Sequence, residues 1–137
     1  MSPAELKRWL ACLHDAQLLS LSVDYAREIL ELRLNVQAGN PEAVSEEERE
    51  SYQPRRMVVS GLQFCVVEPP ADLSLLKGFG PPLIDSAGEG VPPTTNWSFP
   101  VENSAVVMVW IYVSTWNSFI RFAGEAVEVH SMKTTFR

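Results

Sequence analysis

The hydrophobic positions near the N-terminus recur with the period of an α-helix. They are spaced by three and four residues and so share one stripe: Leu6, Trp9, Leu10 and Leu13. The preceding Ser2-Pro3-Ala4-Glu5 has the form of a capping box, with proline at the first helical position. The pattern predicts an N-terminal helix that packs its apolar stripe on the rest of the protein.

From Gln17 the period changes to two, which is typical of a half-buried strand. Apolar and polar residues alternate first over residues 19–23 and again, after a short turn, over residues 30–36. We expect these two runs to form a β-hairpin. A helix from Tyr25 to Leu34 is the alternative, because Glu, Leu and Arg are good helix formers.

Four later segments are also rich in β-type residues. Met57 to Glu68 is interrupted at Ser60-Gly61, which predicts a bulge or sharp bend. Ala105 to Val113 is apolar at every position, which predicts a central strand buried on both faces. Two short runs after it, Phe119 to Phe122 and Ala126 to Val129, are expected to close an antiparallel meander.

Two long segments read as loops. Residues 37–56 are polar and strongly acidic, so we expect a solvated loop. Residues 69–103 include seven of the ten prolines and four of the seven glycines, a density that opposes a central strand or a long helix. Apolar residues within this second loop favour its packing on the core.

These elements predict an α+β fold that is mainly antiparallel β. We expect one N-terminal helix packed on a twisted sheet, or on a partly open barrel, of about five to six strands, with a long Pro/Gly-rich loop. The 137 residues suit a single domain spanning 1–137.

Composition narrows the function classes. The net charge of −6 opposes nucleic-acid binding, which depends on releasing counterions from phosphates. The longest apolar run, Ala105 to Val113, is much shorter than the roughly 20 residues of a membrane-spanning helix, and the N-terminus lacks the apolar run of a signal peptide. We therefore expect a cytoplasmic protein. Cys12 and Cys65 lack CxxC spacing and are predicted to be small buried hydrophobes.

His14 and Asp15 form the one adjacent pair with acid/base potential, at the end of the predicted helix. A structural role in the helix-to-strand turn is the simpler interpretation. The sequence contains no HxH, HExxH or CxxC spacing and no GxSxG elbow, so it predicts no metal site, no cofactor and no catalytic residue.

An acidic group within residues 37–56 is the candidate surface for a basic protein partner: Glu46, Glu47, Glu48 and Glu50. A solvated face without a partner is the alternative interpretation.

Several segments together resemble a known family: Leu13 to Leu21 with its His14-Asp15-Ala16, the alternating Glu31 to Leu34, and the late pair Phe119 to Phe122 and Ala126 to Val129. They resemble small bacterial proteins of the immunity protein 50 family and its uncharacterised relatives. The resemblance implies a protein that neutralises a toxin made by its own cell, with His14 and Asp15 as turn residues. The Pro-rich stretch from Pro81 to Pro93 departs from that pattern.

Three hypotheses follow. The leading one is a non-enzymatic bacterial protein-interaction domain, an immunity protein in its specific form, bound to a basic toxin or another protein. The second is a small-ligand-binding or enzymatic domain with a pocket near His14 and Asp15. The third is a structural homo-oligomeric module. The sequence does not give the oligomeric state.

Overall fold

The computed structural model describes residues 1–37, 44–45, 51–72, 74, 80–92 and 106–132. In this part of the chain the elements are one helix and eight strands: α1 Pro3–Ala11, β1 Gln17–Asp24, β2 Ile29–Gln37, β3 Tyr52–Ser60, β4 Phe64–Val67, β5 Ile84–Glu89, β6 Val107–Val113, β7 Ser118–Gly124 and β8 Ala126–Ser131.

The strands form two antiparallel four-stranded sheets. The first sheet has the order β1-β2-β3-β8 and the second the order β4-β7-β6-β5. The predicted class, α+β and mainly antiparallel, is confirmed. The prediction of a single sheet with five to six strands is wrong. The run Met57 to Glu68 contains two strands, β3 and β4, and the predicted loop 69–103 contains β5.

Helix α1 begins with the predicted capping box. The Glu5 backbone N–H donates to Ser2 Oγ at 3.2 Å, and the Ser2 backbone N–H donates to Glu5 Oε1 at 3.3 Å. The stripe residues Leu6, Leu10 and Leu13 are buried. The helix is therefore held at its N-terminus by local hydrogen bonds and along its length by the core.

The predicted hairpin is confirmed as β1 and β2, and the alternative helix over 25–34 is wrong. The inward residues of β2, listed in order, are all buried: Leu30, Leu32, Leu34 and Val36. A helix would have placed Leu30 and Leu34 on one side and Leu32 on the opposite side. The period of two won over helix propensity because it gives one continuous buried face.

The predicted acidic loop 37–56 ends too late, because β3 starts at Tyr52. Residues 52–56 are polar, but their strand pairs with β2 from Tyr52↔Gln37 to Arg56↔Arg33. Polar side chains are acceptable there because this end of β3 is exposed or half-buried. The four glutamates at positions 46, 47, 48 and 50 lie outside the described residues.

The predicted Pro/Gly-rich loop 69–103 contains strand β5. This strand is at an edge of the second sheet, where it pairs with β6 alone among the named strands. The prolines flank the strand rather than interrupt its ladder, so their missing N–H groups break no pairing. Residues 73, 75–79 and 93–103 of this segment lie outside the described residues.

The chain passes between the two sheets at one corner. Gly61 to Gln63 connect β3 to β4, and Glu125 alone connects β7 to β8. Two hydrogen bonds cross the corner: the Gln63 N–H donates to the Ala123 carbonyl, and the Glu125 N–H donates to the Ser60 carbonyl. The predicted meander is therefore wrong at its last step, since β8 leaves β7 and pairs with β3.

The hydrophobic core is shared by the helix and both sheets. From β6 it receives Val109, Ile111 and Val113, which are fully buried, while the other face of β6 is half-buried. The predicted central position of this strand is confirmed, but its burial on both faces is only partial. No helix in the described ranges has the length and apolar character needed to cross a membrane.

We expect Gly124→Ala to destabilise the protein by about 1–3 kcal/mol through overpacking. A Cβ at position 124 would lie 2.4 Å from Val59 Cγ1 and 3.1 Å from the Ser60 carbonyl oxygen. Urea denaturation gives the free energy of unfolding.

Val59→Ala provides the control, because it removes the methyl group that the added Cβ at position 124 would meet. Alone it should cost at least about 1.6 kcal/mol of transfer free energy. The double variant should lose less than the sum of the two single variants. Full additivity would show that the predicted clash is not what makes Gly124 necessary.

Candidate functional site

The turn between α1 and β1 carries His14 and Asp15. Asp15 has a φ of 63°, in the left-handed region that Asp and Asn tolerate better than most residues. Its backbone N–H donates to the Ile84 carbonyl at 2.8 Å, and the Ile84 N–H donates to the Ala16 carbonyl at 2.8 Å. The turn thus joins the first strand of one sheet to the edge strand of the other.

His14 adds a side-chain link to the same strand. Its Nδ1 lies 2.7 Å from the Asp85 carbonyl oxygen, which only accepts, so Nδ1 carries a proton. Its Nε2 lies 3.5 Å from Asp15 Oδ2. The Asp85 carbonyl first, and the Asp15 charge second, raise the pKa of His14 above its ordinary value.

This geometry favours a structural role for the pair. Both side chains are exposed, at 67 % for His14 and 55 % for Asp15, and the hydrogen bond of Nδ1 is with the backbone. The Tyr52 hydroxyl donates to the Asp15 carbonyl at 3.5 Å, a long contact that again involves the backbone rather than the carboxylate. With a proton on Nδ1, Nε2 is the ring nitrogen that could act as a general base, and the described residue beside it is Asp15.

A shallow cleft of about 420 Å³ lies beside the turn, between α1 and β5. Its lining is formed by Lys7, Leu10, Ala11, Ala87, Gly88 and Glu89. Neither His14 nor Asp15 lines it, so the pair predicted at the edge of a pocket does not belong to this one.

The two cysteines differ in exposure. Cys12 is exposed, contrary to the prediction that both are buried, whereas Cys65 is partly buried and packs against the core. Desolvation raises the pKa of the Cys65 thiol to about 11. Cys12 is on the helix end, outside the apolar stripe, which explains its exposure.

Metal-ligating side chains do not converge in the described ranges, where no group of three or more His, Cys, Asp or Glu residues could hold an ion. The acidic residues Glu46, Glu47, Glu48 and Glu50 lie outside those ranges.

Sequence reasoning missed a row of two arginines and a histidine on the outer face of the first sheet, which we call the cationic row: Arg33, Arg56 and His130. Arg33 is the register partner of Arg56, and Arg56 is the register partner of His130. Leu32, Leu34 and Met57, next to the two arginines, are fully buried, and Val129, next to His130, packs against the core, so the three side chains point outward. The signal lies in the strand register, which the sequence does not contain.

Aromatic side chains occupy the outer face of the second sheet. The Phe119 ring lies 6.2 Å from the Trp110 ring and 4.9 Å from the Tyr112 ring, measured between centroids. The Tyr112 hydroxyl and Asn117 Oδ1 are hydrogen-bonded. All three aromatic residues are half-buried, and Trp110 covers Gly88 of β5 so closely that a Cβ there would lie 2.8 Å from the indole.

Strand β1 forms one free edge of the first sheet. It pairs with β2 from Gln17 to Asp24, and on its other side the described residues contribute one bridge, Gln17↔Leu83. From Leu19 to Asp24 that side has no strand partner within the described part of the chain. Leu19 is 45 % exposed, and Tyr25, in the turn that follows β1, is 79 % exposed.

The raised pKa of His14 predicts a pH-dependent contribution to stability. The contribution is fully present below the unfolded pKa, near 6.5, and is lost as pH rises through the higher folded pKa. Wild type should therefore exceed His14→Ala in stability by more at pH 5.5 than at pH 8.5. Urea denaturation at the two pH values measures the difference.

His130→Gln supplies the control, because it leaves His14 as the only histidine. The imidazole resonance of this variant, followed by NMR, should titrate above the ordinary histidine pKa. A gap between wild type and His14→Ala that does not change with pH would contradict the Asp85 contact.

Thiol labelling should separate the two cysteines. At pH 8 a disulfide reagent such as dithionitrobenzoate should react with Cys12 alone in the native protein and with both thiols after unfolding. Cys12→Ser should abolish the native reaction. Rapid labelling of that variant without denaturant would show that Cys65 is accessible and reactive.

Comparison with known proteins adds a likeness of fold. No protein-family model matches the chain, and no curated protein matches it. It is similar to an uncharacterized protein from Neisseria gonorrhoeae of known crystal structure, at 11 % sequence identity and a TM-score of 0.53, over 87 % of this chain and 93 % of that one. The two chains share a fold, and at that identity the likeness extends no further.

Proposed function

We propose that this protein is a non-enzymatic bacterial protein-interaction domain that binds an extended segment of its partner along the free edge of β1. The observation that carries the proposal is the open side of β1 from Leu19 to Asp24, where the described residues provide no strand partner. An edge strand offers a row of backbone N–H and C=O groups to which a further strand can pair.

The other edges described are less suited to pairing. Strand β4 has four residues, β8 carries Glu128 and His130, and β5 lies beside α1. Short length, charged side chains and a covering helix are the usual means by which proteins block a sheet edge. Strand β1 has eight residues and is uncharged before Asp24, although the register shift between Leu18 and Ser20 bends its start.

Side chains beside the edge supply specificity. Leu19 and Tyr25 are both exposed and lie near the two ends of the open segment. Backbone pairing provides affinity with little sequence preference, so a partner is selected by the apolar side chains it places against such residues. Tyrosine contributes a large contact area at low entropic cost.

The resemblance to the immunity protein 50 family supports a bacterial toxin as the partner. A basic toxin would also be attracted by the net charge of −6 and by the acidic group at Glu46, Glu47, Glu48 and Glu50. These glutamates lie in the connection between β2 and β3, outside the described residues, and enter the proposal from the sequence alone.

Catalysis at His14 and Asp15 is not part of the proposal, because both take part in the turn that joins the two sheets and neither residue lines the cleft beside α1. A structural homo-oligomer would use the same β1 edge, with a second copy in place of the partner. The two cases differ in what the purified protein does by itself.

Affinity capture tests the proposal, from native lysate and from cells that co-express the genes adjacent to its own. The wild-type protein should retain a specific partner, and the double variant Leu19→Lys, Tyr25→Ser should lose it, because a charge and a missing ring then face the incoming strand. A charge-reversed variant, Glu46→Lys with Glu47→Lys, tests the acidic group in the same experiment.

Val91→Lys is the matched control, since Val91 is an exposed apolar residue at 39 % and follows β5, at the opposite end of that strand from Leu83, which bridges to β1. It should bind like wild type. Equal capture by the β1 variant and by this control would show that the partner does not bind along the β1 edge. A dimer of the pure protein that the β1 variant abolishes would replace the partner with a second copy.

A further inference from the structure

The outer face of the first sheet brings two arginines side by side. Arg33 on β2 and Arg56 on β3 are direct register partners, so their Cα atoms face each other across the ladder. Like charges in this position repel, and the arrangement is unfavourable unless an anion lies between them. Ser20 on β1 and His130 on β8 extend the line at its two ends, as register partners of Arg33 and Arg56.

Carboxylates on the same face contact Arg33 and His130 but not Arg56. Glu31 Oε1 accepts from Arg33 Nε at 3.0 Å, and Glu128 Oε2 lies 3.2 Å from His130 Nε2. The terminal nitrogens of Arg33 have no acceptor among the described residues. The Arg56 guanidinium makes no hydrogen bond or ion pair with any described residue, although the residue is half-buried.

We propose that Arg33 and Arg56 bind a single phosphate group on this face. A guanidinium presents a planar fork of N–H groups that matches two oxygens of an oxyanion. A phosphate monoester has three terminal oxygens and close to two negative charges, so it can accept hydrogen bonds from both guanidinium groups at once. A carboxylate has two oxygens and one charge, which one fork already satisfies.

On one side of the arginines, the neighbouring row opposes a second phosphate. Two residues along the strands, about 6.8 Å away, the outward positions are Glu31, Val58 and Glu128, in register with one another. A second phosphate placed there would meet two carboxylates. On that side the site suits inorganic phosphate or a small phosphomonoester, whereas the flanking row on the other side, Asn35 and Pro54, is uncharged.

This site is independent of the proposed protein-binding role. It uses the outer face of the sheet, whereas the partner is proposed to pair along the β1 edge. Phosphate binding without a captured partner would leave this inference intact and remove the other, and the reverse result would do the opposite.

Titration with inorganic phosphate at constant ionic strength tests the inference, followed by the Nε–Hε resonances of the arginines and by the thermal midpoint. Wild type should show saturable shifts of Arg33 and Arg56 and a rise in midpoint that sodium chloride does not reproduce. Arg56→Gln should weaken the affinity about tenfold or more, because it removes charge-assisted hydrogen bonds. Arg56→Lys should weaken it less.

Two controls sharpen the result. Arg27→Gln, in the turn between β1 and β2, should bind phosphate like wild type, whereas Glu31→Gln should bind it more tightly because Arg33 loses its competing carboxylate. Without phosphate, Arg56→Gln should melt no lower than wild type, since it relieves the repulsion with Arg33.

Methyl phosphate and acetate complete the experiment. Methyl phosphate should compete with inorganic phosphate and acetate should not. Shifts that fail to saturate, binding of acetate equal to that of phosphate, or unchanged affinity in Arg56→Gln would each overturn the inference.

Discussion

The whole arrangement depends on a steric constraint at the corner where the chain crosses between the two sheets. Gly124 lies against Val59 Cγ1 and the Ser60 carbonyl, where no side chain could fit without displacement. Gly61, on the other crossing strand, has a φ of 61° and lies against the Glu125 side chain. Because both crossings are tight, β3 and β8 stay paired on one side of the corner while β4 and β7 stay paired on the other. This arrangement lets one core lie between two sheets.

The opposite side of the structure is joined differently, by backbone hydrogen bonds between separate segments. The Leu18 N–H donates to the Pro82 carbonyl, and Asp15, Ala16 and Ile84 exchange two more bonds. The helix lies next to this seam, and Trp9 Nε1 donates to Met57 Sδ at 3.4 Å inside the core. His14 belongs to the seam through its contact with Asp85. His14, one of the two residues that the sequence offers for acid/base chemistry, thus lies where it helps to hold the two sheets together.

Local signals in the sequence predicted local structure well. The capping box at Ser2, the period of two across Leu30 to Val36 and the apolar run ending at Val113 each describe interactions between near neighbours, and the structure confirms them. Pairing between distant segments could not be predicted this way. The break at Gly61 indicates a bend but not that the chain changes sheets, and Ile84–Glu89 lacks the apolar alternation that would distinguish an edge strand from a loop. The cationic row depends on the β2-β3-β8 register, so no inspection of single segments would have found it.

The pairing of β8 with β3 also bears on how the protein forms during synthesis. The two strands are separated by about half of the chain, and β8 ends only at Ser131. When β1, β2 and β3 have left the ribosome, the far side of β3 has no strand to pair with, and it stays open until β8 has been made. Contacts between such distant segments slow folding, because the loop between them must close before they stabilise anything. The first sheet begins to form early but is complete only after β8 has been added. Until then the open edge of β3 is the part of the nascent chain that is exposed to pairing with other strands.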